Sequence, residues 1–309
     1  MRAYVTGSQG FVGRWLVRHL VEQGDDVVQP EHEIDVTDPD ALMPDMVKAE
    51  PDAVYHLAAK SHVGASWSDP LETLRVNVLG AEVMIEAAAA CDRPPRVLMV
   101  SSAEVYGTGA GEDDDAALTE ESPLRPLSPY AASKAAAEML AVQAGLGRGI
   151  DVIRVRPFNH VGPGQSDSFV VSAFARRVAA AEREGKSTIP VGNLSVRRDF
   201  SDVRDVVKAY RLLVASGVAG EVYNVCSGTS VGIDEVVDRL LALATRKIVP
   251  VEDPELLRPA EISELRGDCS RLRAATGWLP HIKLETTLAE MLDWWRERDE
   301  ARPAPGIQG

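Results

Sequence analysis

Positive charge is in short supply: 33 Lys and Arg stand against 47 Asp and Glu in 309 residues, a formal net charge of −14 with an isoelectric point near 4.9. That balance excludes the broad basic face needed by a nucleic acid or an anionic membrane surface, although local arginines can still hold a small anion. Long apolar runs are missing as well. None approaches the roughly 18 residues of a membrane span, and Met1 leads straight into RAYVTG without a charged leader or apolar h-region, so a cytoplasmic location is expected. The three cysteines, Cys91, Cys226 and Cys269, are widely spaced and form no CxxC pair. This argues against a disulfide framework and a metal site, and for buried reduced thiols. There is no internal repeat, and no low-complexity segment beyond Ala-rich helices. With 5% aromatic and 45% hydrophobic residues, the composition is that of an ordinary soluble α/β chain, long enough for a full core and a second lobe.

What is present is organised around SPYAASK, Ser128 to Lys134. On a helix, a spacing of four puts Tyr130 and Lys134 on one face. A tyrosine hydroxyl titrates near 10, too high for easy proton exchange at neutrality, and an ammonium one turn away is expected to lower it. Tyr130 would then be a usable acid or base. The same pair also occurs on the walls of unremarkable Ala-rich helices, so the rest of the chain has to carry the reading.

The N-terminal AYVTGSQGFVGRWLVRHLVEQG reads as a short strand, a glycine-rich turn and an amphipathic helix ending at Gly24. This is how a dinucleotide-binding βαβ unit opens. Gly7 suits the tight turn, Gly10 lets the backbone approach a pyrophosphate at the helix N-terminus, and Gly13 allows close helix-to-strand packing. The spacing is GxxGxxG rather than GxGxxG. DDVVQP follows as a second strand, with EIDVTDPDAL so close behind that a short connection to the third strand is expected, and Asp35 and Val36 are placed to border an adenine. PDAVYHLAA is the third strand, and the stretch from Trp67 to Ala90 is one long helical pattern. RVLMVSSAEVYG is an apolar strand running into Ser101, Ser102 and Glu104, at the carboxyl end where open parallel sheets place their chemistry. An acidic loop then leads into the SPYAASK helix, and IDVIRVRPFNHVGPGQ adds a buried strand and a Gly/Pro loop.

The β-α-β-α order predicts an α/β fold: a Rossmann-like, doubly wound parallel sheet with a smaller C-terminal α/β substrate-binding lobe. The expected division is 1–163 plus about 196–228 for the dinucleotide-binding domain, about 164–195 plus 229–300 for the second lobe, and a mobile tail at 301–309.

TGSQGFVG, HLAA, NVLG, SSAEVYG and YAASK, in this order, resemble the extended short-chain dehydrogenase/reductase family over nearly the whole chain. FNHVGPGQ, VGNLSVRRDFSDVRDVV, EVYNVCSG and LRPAEISELRGDCSRLRAATGWLP are similar to its branch acting on GDP-mannose derivatives. Relatives working on dTDP or UDP sugars usually show a Gly-Asp-Gly type turn where this chain has Gly192, Asn193 and Leu194, so the resemblance implies a GDP-linked sugar as partner. Two activities of the branch compete. VGPGQ at Val161 to Gln165, in place of a basic SPRRG, favours reduction of the C4 keto group of GDP-4-keto-6-deoxy-D-mannose, to GDP-D-rhamnose or its C4 epimer. Glu104, where dehydratases keep their C5 base, speaks for the alternative, 4,6-dehydration of GDP-mannose. A catalytically silent cofactor-binding regulator is a further alternative, but such proteins usually lack the tyrosine or the lysine.

The resemblance implies roles for individual residues. Tyr130 donates the proton to the alkoxide developing at C4, Lys134 lowers the tyrosine pKa and holds the nicotinamide ribose, and Ser102 orients the same oxygen. Gly7, Gln9, Gly10, Phe11, Val12, Gly13, Asp35, Val36, Leu57, Ala58 and Ala59 are the expected cofactor contacts, together with Tyr130 and Lys134. Lys60, Ser102, Asn159, Asn193, Arg198, Arg258 and Glu261 are expected on the substrate, the arginines because a guanidinium fork pairs two phosphate oxygens. His160 has no assigned role, and no metal ligand is expected. The cofactor is NAD(P)H. Gln29 to Glu33 carry two acids and no Arg or Lys, which favours NADH, with Arg14 the nearest candidate for a 2′-phosphate. Helices after Asn77 and through Lys134 carry apolar faces that imply a homodimer.

Overall fold

The computed structural model describes residues 1–30, 34–108, 117–256 and 262–300. Its centre is a six-stranded, all-parallel sheet in the order β2-β1-β3-β4-β5-β9. The strands are β1 (Arg2–Thr6), β2 (Asp26–Val28), β3 (Ala53–His56), β4 (Arg96–Val100), β5 (Val152–Pro157) and β9 (Val222–Val225). Strands β1, β3 and β4 are buried on both sides, as parallel strands covered by helices must be. On one face, α1 (Phe11–Glu22), α8 (Val203–Ser216) and α10 (Ser270–Thr276) bury Leu16, Leu20, Val206, Tyr210, Leu213 and Leu272. On the other, α2 (Pro39–Ala49), α5 (Gly80–Ala89) and α6 (Pro129–Arg148) bury Leu42, Met46, Met84, Ile85, Ala137 and Ala141. The sheet is therefore doubly wound. Each large apolar side chain so buried contributes on the order of 1.5–3 kcal/mol.

The connection between β2 and β3 corrects the short link expected from the sequence, because it contains all of α2. Asp38 caps that helix by accepting from the Asp40 amide at 3.0 Å, and Pro39 occupies its first turn. Pro44, ordinarily a helix-breaking signal, lies inside the helix, whose buried face is still carried by Leu42, Met46 and Ala49. The long helical pattern after Trp67 is real but divided. It runs as α3 (Val63–Ser68), α4 (Pro70–Leu74), a π-helical turn over Arg75–Leu79, and α5. Asp69 caps the second piece and Pro70 starts it.

Helix α6 shows why its sequence folds where it does. The Ser128 hydroxyl accepts from the Ala131 amide at 3.1 Å, Pro129 opens the helix, and Gly149 closes it at φ 68°. Its alanines leave no bulk between helix and sheet, so the helix lies close against β4 and β5.

The remaining elements form separate sheets. Strands β6 (Asn159–Val161), β8 (Arg197–Asp202), β10 (Ser230–Gly232) and β12 (Glu264–Leu265) make one, and β7 (Thr188–Val191) pairs with β11 (Val249–Glu252). With α7 (Val170–Glu184), α9 (Ile233–Ala242) and α11 (Leu284–Glu300) they enclose their own core of Phe174, Ile189, Phe200, Val237, Leu240 and Leu292.

Candidate active site

The chain steps from β1 outward to β2 and then back across to β3, so the β1/β3 boundary is the switch point of the sheet, where open α/β folds hold their ligands. The two loops that leave it touch. Gly7 sits at φ 68°, and a Cβ there would lie 2.7 Å from the Ala58 nitrogen. Gly13 packs against the turn itself rather than a strand, since its Cβ would fall 2.2 Å from the Gly7 oxygen. Only hydrogen fits at these positions. Gln9, Gly10, Phe11 and Val12 complete the turn and open α1, whose first amides have no helical acceptor and can receive an anion. Leu57, Ala58 and Ala59 face them from the end of β3. This cradle suits a dinucleotide pyrophosphate.

Beside it, the β3-end loop is pinned from behind by Asn77, which accepts from the Lys60 amide at 2.8 Å and donates to the Lys60 carbonyl at 3.0 Å and to the Ser133 hydroxyl at 2.8 Å. Asn77 therefore couples the cradle to α6. Asp35 accepts from Thr37 and from Arg75 (3.2 Å), and the Thr37 amide is the main reason its carboxyl lies below the usual range. Val36 packs against Gly80 at the start of α5. The Arg14 guanidinium donates to the Gln9 carbonyl at 2.9 Å, and the Gln9 side chain donates to that of Gln29, just beyond β2, at 3.2 Å.

Ser102, Tyr130 and Lys134 converge at the carboxyl end of β4. The Ser102 hydroxyl accepts from the Glu104 amide at 3.2 Å, starting a short 3-10 turn over Ala103–Tyr106, and lies beside the Tyr130 hydroxyl. The Tyr130 amide donates to Ser66 at 3.2 Å, which holds the first turn of α6 against α3. All three reactive side chains are buried.

One expectation is corrected here. Burial dominates Tyr130 and pushes its hydroxyl up to about 12, the neighbouring Ser102 hydroxyl opposes that rise, and the Glu104 carboxylate adds to it. Lys134 is not what tunes the tyrosine. Its Nζ donates to the Val100 carbonyl at 2.8 Å, and burial draws its own value down to about 8. His56, which the sequence reading passed over, is buried at the end of β3 with Nδ1 3.0 Å from the Thr6 hydroxyl. Burial first and the Lys134 charge second depress it to about 3, so it is neutral at working pH. The signal was there in HLAA, at a strand end.

Of the residues expected on the substrate, Asn159 and Arg198 lie in the adjoining sheet. Asn159 opens β6 opposite Phe200, and His160 stacks on Phe11 with ring centroids 6.3 Å apart, a packing role beside the glycine turn. The Asn193 side chain accepts from the amide and hydroxyl of Ser195, shaping its own turn. Arg198 donates to the carbonyls of Arg197 and Ile262, both at 2.8 Å. Lys60 is exposed at the cradle edge. Arg258 and Glu261, like Glu31 to Glu33, lie outside the described residues.

Two contacts tie the loop after β6 to the first sheet: Trp15 Nε1 donates to the Pro163 carbonyl at 3.1 Å, and His62 meets the Ser168 carbonyl at 3.0 Å. His62 Nδ1 accepts from the Ala65 amide at 2.9 Å, so its proton is on Nε2 and points at Ser168.

The family model for GDP-mannose 4,6 dehydratase matches residues 29–291. The chain is 40% identical over 302 residues to the GDP-6-deoxy-D-mannose reductase of Pseudomonas aeruginosa, covering 96% of this chain and 98% of that protein. The solved structure of RMD from Pseudomonas aeruginosa complexed with NADPH superposes with a TM-score of 0.90 at 39% identity, covering 96% of this chain and 99% of that one. DesIV, a dTDP-glucose 4,6-dehydratase from Streptomyces venezuelae with NAD and TYD bound, gives 0.84 at 26% identity over 98% and 99%.

Proposed function

This chain belongs to the GDP-mannose 4,6-dehydratase family, within the short-chain dehydrogenases/reductases, and from that premise we propose that it reduces the C4 keto group of GDP-4-keto-6-deoxy-D-mannose, giving GDP-D-rhamnose or its C4 epimer. The observation that carries the reading is the similarity to the Pseudomonas aeruginosa reductase along both chains, with Ser102, Tyr130 and Lys134 converging on one point.

A bound nicotinamide dinucleotide supplies the hydride. The residues of the chain do the rest. The glycine turn and the start of α1 take the pyrophosphate, and the Lys134 ammonium offers donors to the nicotinamide ribose. Tyr130, protonated throughout the neutral range, delivers its proton to the oxygen at C4, while Ser102 fixes that oxygen and the tyrosine relative to one another. Asn159, Asn193, Arg198, Arg258 and Glu261, with Lys60, are assigned to the sugar nucleotide, in a cleft between a dinucleotide-binding domain and a smaller lobe.

The second reading, 4,6-dehydration of GDP-mannose, rests on Glu104, two residues beyond Ser102 in the 3-10 turn, as a carboxylate base for C5. Incubation with the keto sugar and reduced cofactor, followed by absorbance and product NMR, separates the two. Consumption of the keto sugar supports reduction. Turnover of GDP-mannose without added reductant overturns it.

We also assign a homodimer. Trp67, Leu71, Leu79, Met139 and Leu146 are exposed on the α3-to-α6 side, with Leu71 78% and Leu146 87% accessible, more apolar surface than a solvated face needs. A cytoplasmic location fits the three free thiols.

A further inference from the structure

Behind the reactive groups runs a polar chain that touches neither cofactor cradle nor cleft. Glu138 stands on the same face of α6 as Tyr130 and Lys134, one turn further on, and is fully buried. Its carboxylate grips the Arg156 guanidinium of β5, with Nη2 at 2.5 Å and Nε at 3.1 and 3.2 Å from the two oxygens. Arg156 Nη1 donates to the Tyr106 hydroxyl at 2.9 Å, and the guanidinium lies over the Tyr106 ring, 4.9 Å from its centroid. The Tyr106 hydroxyl in turn donates to Asn224 of β9 at 2.7 Å. Asn224 passes the chain on, donating to the Leu118 carbonyl at 2.8 Å and accepting nothing further from solvent, since it is buried.

Two ends of this chain matter. Glu138 belongs to the helix that carries the tyrosine and lysine. Tyr106 closes the 3-10 turn that Ser102 opens. Apolar packing surrounds both, but packing alone tolerates small slides, whereas charge-assisted hydrogen bonds in a dry interior fix register. Among the described contacts, the Glu138–Arg156–Tyr106 link is a rigid polar strut between these two segments, and no part of it is used by the reaction itself.

We propose that Tyr106 is a positioning residue of the reduction: held by Arg156 and Glu138, its hydroxyl sets the separation between Ser102 and Tyr130, and hence the alignment of the transferred proton. The proposal rests on the reading of Ser102 and Tyr130 as the proton-donating pair. The strut needs only the hydroxyl. The ring of Tyr106 packs with Ala103, Val105, Leu118, Phe158 and Leu265, contacts that phenylalanine keeps.

Tyr106→Phe tests it directly. The variant is expected to fold and to bind reduced cofactor and keto sugar within about twofold of wild type. Its kcat should fall roughly ten- to a hundredfold, the scale of a small misplacement of reacting groups. The deciding readout is the solvent deuterium isotope effect on kcat, which should rise as proton transfer becomes limiting. A purely structural role lowers the number of active sites and leaves the isotope effect unchanged, so active-site titration is run alongside. Arg156→Lys keeps the charge and removes the fork, and should reproduce the effect where it folds. An unchanged kcat and isotope effect in Tyr106→Phe, with Tyr130→Phe inactive, overturns the strut and leaves the proton donor standing. Retained activity in Tyr130→Phe overturns the proton-donor reading instead.

Discussion

The Lys134 ammonium is hydrogen-bonded to the carbonyl of Val100, the last residue of β4, at 2.8 Å. It is thereby anchored to the strand that delivers Ser102, while burial lowers its value from 10.5 to about 8. The folded protein holds fewer protons there than the unfolded chain between those two values, so stability should rise with pH across that window, and the penalty is fully present below about 8. A shift of this size corresponds to roughly 3 kcal/mol. Lys134→Met should therefore stabilise the protein by about 1–2 kcal/mol, after allowance for the lost hydrogen bond, while abolishing turnover. Urea midpoints at pH 7 check the first part. A less stable variant would refute it.

Activity should follow the same group. With Tyr130 at about 12 and Lys134 at about 8, the alkaline limb of kcat/KM should fall near pH 8 and belong to the lysine. A pH profile that stays flat to pH 10 would contradict this.

Tyr130→Phe removes the proton donor and keeps the ring. Turnover should drop by 10²- to 10⁴-fold with cofactor affinity intact. A variant holding more than about a tenth of the wild-type rate would remove the central claim.

The Glu104 carboxylate raises the Tyr130 value. In the reductase, Glu104→Gln should change kcat with the keto sugar by no more than a few-fold, whereas a 4,6-dehydratase would lose 10²-fold or more because its C5 base is gone. Side-by-side assays with the keto sugar and with GDP-mannose decide between these outcomes.

For the cofactor, the acids at 31 and 33 in the sequence are expected to disfavour a 2′-phosphate, and Arg14, bonded to the Gln9 carbonyl, is the cation expected to favour one. Both reduced cofactors should be turned over, NADH ahead by less than tenfold. Arg14→Ala should widen that gap about tenfold, the worth of one charge-assisted bond. A tenfold NADPH advantage in wild type would reverse the assignment.

How much of this was legible depended on range. The glycine turn and the Tyr130/Lys134 spacing are local, so five to seven consecutive residues sufficed to place the cradle and the helix face. Helix α2 was not legible, because Pro44 reads as a helix breaker although the buried Leu42, Met46 and Ala49 keep helical spacing around it. The direction of the Tyr130 shift was misjudged since spacing along a helix reports which face a residue shares and says nothing of burial, which outweighs a neighbouring charge here. The polar strut was out of reach for another reason: Arg156 lies 18 residues from Glu138 and 50 from Tyr106, and Asn224 lies 118 from Tyr106. Nothing in a linear pattern announces such partners.

The loop from Pro163 to Ser168 is clipped at one end by Trp15 and at the other by His62. The two clips fix the length of the segment between them. An inserted residue between the clips must bulge outward or release one of them, and release frees the loop from α1 or from α3. Both clips are made to main-chain carbonyls, so side chains within the segment can be exchanged without disturbing either one.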